Sequence, residues 1–268
     1  MKYIEHLDEL NELIRSYFIR GTNTNCYFLA ETFNKQIKDH KLAFLLSGDN
    51  LILLLDKTDF YQLYFYLNDL STSLNLSINK PVVMEILYRD EKFKPLDIIN
   101  YWYGQNFKQH LKRDNMIASL ESINLPALLY STIKIDYACL EKEALFTEKL
   151  FRDSLDIYTG DLLSKDEINQ FVFSRNILIA YYKEEMAGAL QFEVKNKIVW
   201  LSHLAIDQKF RGKGIAYELV RKFITDNQTE LNTKYQLWVI QDNVAAINLY
   251  RKFGFVYGNK STTSLLKQ

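Results

Sequence analysis

Arg211-Gly212-Lys213-Gly214-Ile215-Ala216 joins a largely apolar run, Ile198–Ile206, to an amphipathic segment, Ile215–Asn227. The run reads as a strand. The segment reads as a helix, because Ala216, Leu219, Val220, Phe223 and Ile224 share one face. Gly212 and Gly214 permit positive φ and a close approach of backbone to ligand. The first amides of a helix have no intrahelical partners and carry the positive end of its dipole, so a diphosphate can accept them. Arg211 and Lys213 add charge, and an arginine can fork around a phosphate. Three readings of the loop compete: an ordinary strand-to-helix turn, a nucleotide P-loop and a dinucleotide fingerprint. A P-loop needs Ser or Thr after Gly-Lys, and here Gly214 follows Gly212-Lys213. A dinucleotide fingerprint needs a third glycine where this chain has Tyr217, and it belongs to the first strand of a parallel sheet. Here the loop follows antiparallel strands read at Ile177–Tyr182, Ala187–Val194 and Ile198–Ile206, with Asn196 at a turn.

Downstream, the pattern predicts a strand over Tyr235–Ile240 and a helix over Val244–Phe253, inside the stretch Asn243-Val244-Ala245-Ala246-Ile247-Asn248-Leu249-Tyr250-Arg251-Lys252-Phe253-Gly254-Phe255. The two stretches together resemble the GCN5-related N-acetyltransferase (GNAT) family. Arg211, Gly214 and Ala216 fill its acyl-CoA loop, Gln/Arg-x-x-Gly-x-Gly/Ala. Asn243, Ala246, Leu249, Tyr250, Gly254 and Phe255 fill its later motif, Asn-x-x-Ala-x-x-Leu-Tyr-x-x-x-Gly-Phe. The resemblance covers roughly residues 130–268 and implies an α/β (α+β) fold: a mixed, mostly antiparallel sheet flanked by helices.

It also implies a site. Leu204, Ala205 and Ile206 would pair with the pantetheine arm of acetyl-CoA, and the Leu204 amide would polarise the thioester carbonyl. The loop amides of Arg211, Gly212, Lys213, Gly214, Ile215 and Ala216 would hold the pyrophosphate. Asn243 would contact the CoA arm; it also reads as a helix N-cap, and the two roles are compatible. Tyr250 corresponds to the general acid that protonates the departing thiolate, a task for a phenol that stays protonated at neutral pH. Its alternative is a core tyrosine. The general base is not assigned. Where many relatives carry a glutamate this chain has Trp200, and where others carry one it has Trp238. Glu193 is a further candidate, and so is His203, which simple alternation places on the face opposite Trp200 and Leu204. A water chain would need no dedicated base.

The rest of the second region predicts a strand at Ser131–Ala138 and helices at Leu140–Leu155 and Lys165–Ser174, the latter opened by a Ser164/Glu167 capping box. It ends in a short hairpin around Gly258-Asn259. The turn-forming cluster Ser122-Ile123-Asn124-Leu125-Pro126 divides the chain into residues 1–125 and 126–268. The first region predicts helices at 3–20 and 27–38, strands at Lys41–Leu46 and Leu51–Leu55, a strand at Val82–Tyr88 and a helix at Pro95–Trp102. Tyr61–Leu67 and 107–120 fit either type. Its order loosely echoes the second, as a degenerate copy of the same fold would; the alternative is an unrelated α+β domain, and in either case it is a candidate to complete the acceptor pocket.

Formal net charge is zero, so bulk electrostatics favour neither nucleic acid nor an anionic membrane as a partner. The only two cysteines, Cys26 and Cys139, form no disulfide framework or zinc pattern, so no metal is expected and a reduced, cytoplasmic setting fits. The most apolar run, Leu51–Leu55, is far too short to span a bilayer. The expected function is transfer of acetyl from acetyl-CoA to a primary amine, on a small molecule or a peptide. The alternative is a non-catalytic CoA-binding or interaction module, motivated by the missing glutamate. Neither the acceptor nor the oligomeric state can be read.

Overall fold

The computed structural model describes residues 1–74, 76, 78–125, 127–129, 132–229 and 234–268. Pro126 of the boundary cluster and Ser131 at the start of a predicted strand lie outside the described residues. The chain divides into two compact units, Met1–Lys112 with Lys260–Gln268, and Arg113–Asn259.

The first unit contains β1 (Lys2–Tyr3), α1 (Leu7–Tyr17), β2 (Asn23–Thr24), α2 (Asn34–Lys38), β3 (Leu42–Ser47), β4 (Asn50–Asp56), β5 (Tyr61–Leu67), β6 (Val82–Arg89) and α3 (Leu96–Gly104), then the start of β7 (Lys108–Ser119). Leu51, Leu53 and Leu55 of β4 pack toward α1 and α2, while Ile52 and Leu54 pack toward α3 around Trp102. A strand buried on both faces reads as a continuous apolar run, which is what Leu51–Leu55 is. β3, β4 and β5 are antiparallel; β5 and β6 are parallel but pair only at Tyr61–Val82 and Gln62–Val83.

The gap between β5 and β6 is filled by the chain itself. β2 pairs with the free edge of β5, Asn23 opposite Leu67 and Thr24 opposite Tyr66. The Asn25 amide donates to the Leu63 and Glu85 carbonyls, both at 3.1 Å, and accepts from the Phe65 N–H at 2.8 Å. Thr24 Oγ1 donates to the Phe65 carbonyl at 2.6 Å. One side chain therefore bridges both parted strands and satisfies backbone groups that burial would otherwise orphan.

The second unit contains the rest of β7, then β8 (Ile133–Tyr137), α4 (Glu141–Ser154), α5 (Lys165–Phe173), β9 (Ile177–Tyr182), β10 (Glu185–Lys195), β11 (Ile198–Ile206), α6 (Ile215–Asn227), β12 (Lys234–Ile240), α7 (Val244–Lys252) and the start of β13 (Val256–Lys267). β8 to β11 are successive antiparallel neighbours and β11 and β12 are parallel. The Ser164/Glu167 capping box forms on α5. One sheet face packs on α6 and α7 through Val199, Leu201, Leu219, Phe223 and Leu237; the other packs on α4 and α5 through Ala189, Ala205, Phe151 and Ile168.

One expectation is corrected. No hairpin forms at Gly258-Asn259: β13 runs straight through. A Cβ on Gly258 would come 2.5 Å from Asn115 Oδ1, so this glycine serves a close interstrand approach rather than a turn. The strand's remainder, Lys260–Lys267, pairs antiparallel with β6 in the first unit. The turn-forming cluster at 122–125 falls within the second compact unit. β7 is one long strand whose residues 113–119 pair with β12, so the second unit starts at Arg113. The 107–120 segment, open between helix and strand, is thus a strand.

Candidate functional site

β11 and β12 are paired from Ile198–Lys234 to Leu201–Leu237 and then separate. Beyond that point β11 keeps β10 as its neighbour and β12 keeps β7. The Asp207 N–H donates to the Ala187 carbonyl at 3.0 Å, so by antiparallel alternation Leu204 and Ile206 turn their backbone groups to the opposite, open edge. A cleft of about 1020 Å³ occupies the opening, and all its lining residues belong to the second unit. Leu204, Ala205 and Ile206 form one wall and Trp238, Val239 and Ile240 another.

The glycine loop closes one end. Gly212 and Gly214 have φ of +78° and +81°, and Gly214 is the N-cap of α6. A Cβ on Gly212 would meet none of the described residues within 4 Å, its chain neighbours aside. Arg211, Gly212, Gly214, Ile215 and Ala216 all line the cleft. Lys213 does not; its ammonium lies 5.4 Å from the centre of the Tyr182 ring. Asn243 also lines the cleft and caps α7, its Oδ1 accepting from the Ala246 N–H at 3.1 Å. Tyr250 projects from α7 into the same cleft. It is buried, and burial pushes its phenol well above the ordinary value. Its hydroxyl has no hydrogen-bond partner among the described residues.

The far end of the cleft sits against a β-bulge. Gln191 pairs with His203 but Phe192 pairs with Leu201, which leaves Ser202 as an extra residue on β11. The bulge reverses the simple alternation. His203, opposite Gln191, now shares a face with Trp200, opposite Glu193; Leu204 lies on the other face with Leu201. The expectation that His203 opposes Trp200 is therefore corrected, while its opposition to Leu204 stands. Trp238 joins this face, since Trp200 and Gln236 are register partners in the parallel pair.

The loop between α4 and α5 encloses this end through Asp156, Thr159 and Asp161. The Arg113 guanidinium ties it to the sheet through the Thr159 carbonyl and Oγ1. Asp156 organises it, Oδ1 accepting from the Tyr158 and Thr159 amides at 3.2 and 2.9 Å. Sequence reasoning missed Arg113 and this loop, neither of which carries a motif. Among the described residues no cluster of three His, Cys, Asp or Glu side chains is placed to hold a metal.

A strand pair that opens beside a glycine-capped helix N-terminus suits an extended, diphosphate-bearing ligand. Residues 143–255 match the family described as acetyltransferase (GNAT). These residues are a GNAT domain. The chain is 28% identical over 90 residues to a spermine/spermidine N(1)-acetyltransferase of Bacillus subtilis, a match covering 30% of this chain and 59% of that protein. It thus spans about three-fifths of the curated relatives it matches. A GCN5-related N-acetyltransferase from Sphaerobacter thermophilus superposes with a TM-score of 0.62 at 12% identity, over 90% of this chain and 86% of the other. A tandem GNAT protein from the clavulanic acid biosynthesis pathway superposes with a TM-score of 0.52 at 10% identity, over 85% and 83%. At such identities these two likenesses speak to fold alone. They extend well beyond the GNAT domain and are consistent with two GNAT-like units in the chain. No helix among the described residues is long and apolar enough to cross a membrane.

Proposed function

We propose that the GNAT domain transfers an acetyl group from acetyl-CoA to a primary amine by direct attack. The observation that carries this is the open edge of β11 leading to the glycine loop. Acetyl-CoA, when bound, supplies an acyl group activated as a thioester. The outward backbone of Leu204 and Ile206 pairs with the pantetheine amides, and the Leu204 N–H donates to the thioester oxygen, where charge grows during attack. The amides from Gly212 to Ala216 receive the diphosphate, with Arg211 at its side. Asn243 keeps its capping bond and presents the rest of its amide to the arm.

Tyr250 gives its proton to the departing sulfur. Its raised pKa keeps the phenol protonated until the thiolate forms beside it. The acceptor enters from the far end, between Trp200 and Trp238 and under the α4–α5 loop. The carboxylates of Asp156, Asp161 and Glu193 lie there, and aromatic faces with carboxylates attract a cationic amine. Spermidine, suggested by the polyamine relative, is the first acceptor to test.

The test measures turnover and binding on two proteins. Tyr250→Phe removes one proton donor and almost no volume. CoA release with spermidine should fall roughly 10²–10⁴-fold while acetyl-CoA affinity by calorimetry holds. Equal turnover by both proteins would reduce Tyr250 to a core residue. A wild type that binds acetyl-CoA but acetylates no amine would favour a non-catalytic binding module.

A further inference from the structure

The acetyl-transfer reading leaves one proton without a destination. An amine that arrives as an ammonium must lose a proton before it attacks, and the glutamates expected for this work are Trp200 and Trp238 here. The bulge at Ser202 decides what replaces them. Without it, His203 would face α6 and α7; with it, His203 faces the acceptor end beside Trp200 and Gln191. Tyr250 approaches the same cleft from α7 on the opposite side of the sheet. The opening between β11 and β12 therefore has a proton donor on one side and an imidazole on the other.

The other side chains on the imidazole's face do not fit the task. Trp200, Trp238 and Gln191 cannot take a proton at neutral pH. Glu193, opposite Trp200, lies two register pairs from His203 and away from the opening, and is ion-paired with Lys195 at 2.5 Å. Asp161, on the α4–α5 loop, is exposed, and Asp156 of the same loop is engaged by the Tyr158 and Thr159 amides and the Thr159 hydroxyl. We propose that His203 is the proton acceptor for the attacking amine. This rests on the acetyl-transfer reading.

The surroundings keep the ring neutral. His203 is 9% exposed and stacks edge-on against Phe151 of α4, ring centres 5.2 Å apart. Burial lowers its pKa below the ordinary imidazole value, and the Arg113 charge from β7 acts in the same direction. The Asp161 charge and the backbone of Asp161 and Ser202 oppose this only in part. The ring is thus unprotonated at neutral pH, ready to accept.

The protons balance. An ammonium gives one proton to His203, which releases it to solvent after the cycle. The neutral amine then forms the N–C bond as the C–S bond breaks. The sulfur takes the Tyr250 proton, and the second nitrogen proton restores the phenol. The sum is ammonium plus thioester giving amide, thiol and one proton.

The experiment compares wild type, His203→Gln and His203→Ala on a panel of primary amines that includes spermidine. Acetyl-CoA affinity is measured by calorimetry, and the imidazole is titrated by NMR in the ligand-free protein. The wild-type resonance lost in His203→Ala should titrate below the ordinary histidine range. Wild-type kcat/KM should rise with pH through that same value. In His203→Gln that limb should vanish and kcat/KM at neutral pH should drop about 10²-fold, with acetyl-CoA affinity unchanged. Added imidazole should restore part of the His203→Ala rate, which a purely structural role would not predict. Wild-type turnover matched by His203→Gln overturns the assignment and leaves acetyl transfer standing. Equal loss at every pH with no imidazole rescue overturns it too. A wild type that binds acetyl-CoA yet acetylates no amine in the panel overturns the acetyl-transfer reading, and this one with it.

Discussion

Each unit holds a parallel strand pair that separates after a few residues, and the two openings have opposite contents. In the first unit β5 and β6 part after Gln62, and Asn25 spans the gap with bonds to Leu63, Phe65 and Glu85. In the second unit β11 and β12 part after Leu201 and leave a cleft. The connections after β5 and β11 differ as sharply. After β11 come Arg211 and a glycine loop that opens a helix. After β5 comes Asp69, whose carboxylate takes the Ser71 N–H and the Ser71 and Thr72 hydroxyls. Those bonds, Thr72 foremost, hold its carboxyl at about 2, so it is fully ionised. A fixed negative charge there repels a diphosphate. The lesson is that a parted strand pair is only an opportunity. Its exposed backbone must be satisfied, either by a ligand or by the chain itself.

The largest effect should come from the glycine loop. Gly214→Val forces a β-branched residue into positive φ, a strain of order 1–3 kcal/mol, and puts a side chain where the diphosphate would rest. Acetyl-CoA affinity should fall about 100-fold or more, equivalent to about 2.7 kcal/mol. Unchanged affinity by calorimetry would remove the loop from the site. The next effect lies in the other unit. Asn25→Leu keeps the approximate volume but strands the Leu63 and Glu85 carbonyls and the Phe65 N–H. At about 1–3 kcal/mol per buried unsatisfied group, denaturant unfolding should show a loss of about 3 kcal/mol or more. Acetyl-CoA affinity of the second unit should not move. A variant as stable as wild type would show that β2 does not need Asn25 to hold the gap.

Where local chemistry set the structure, the sequence disclosed it. Ile177–Tyr182, Ile198–Ile206 and Ile215–Asn227 are observed at the residues expected, because period, β-branching and the glycine stop all agree there. The residues of the loop and of α7 expected at the site line one cleft, Lys213 excepted. What escaped was set by distant partners. The first part of β7, Lys-Gln-His-Leu-Lys-Arg-Asp-Asn, has no alternation, and residues 113–119 owe their strand form to β12. Gly258-Asn259 has the composition of a turn but serves a close approach to Asn115. The Ser202 bulge shifts register by one residue and leaves no compositional trace, yet it decides which face carries His203. Asn25 sits in a polar stretch, Gly21-Thr22-Asn23-Thr24-Asn25, that reads as loop whether or not it closes a gap.

The central claim is that one opening is a ligand site and the other is occupied by the protein. Calorimetric titration of acetyl-CoA into the full chain tests it directly. The account predicts one site per chain, weakened about 100-fold or more by Gly214→Val and unaffected in number by Asn25→Leu. Two sites per chain, or a site of wild-type affinity in Gly214→Val, would contradict it.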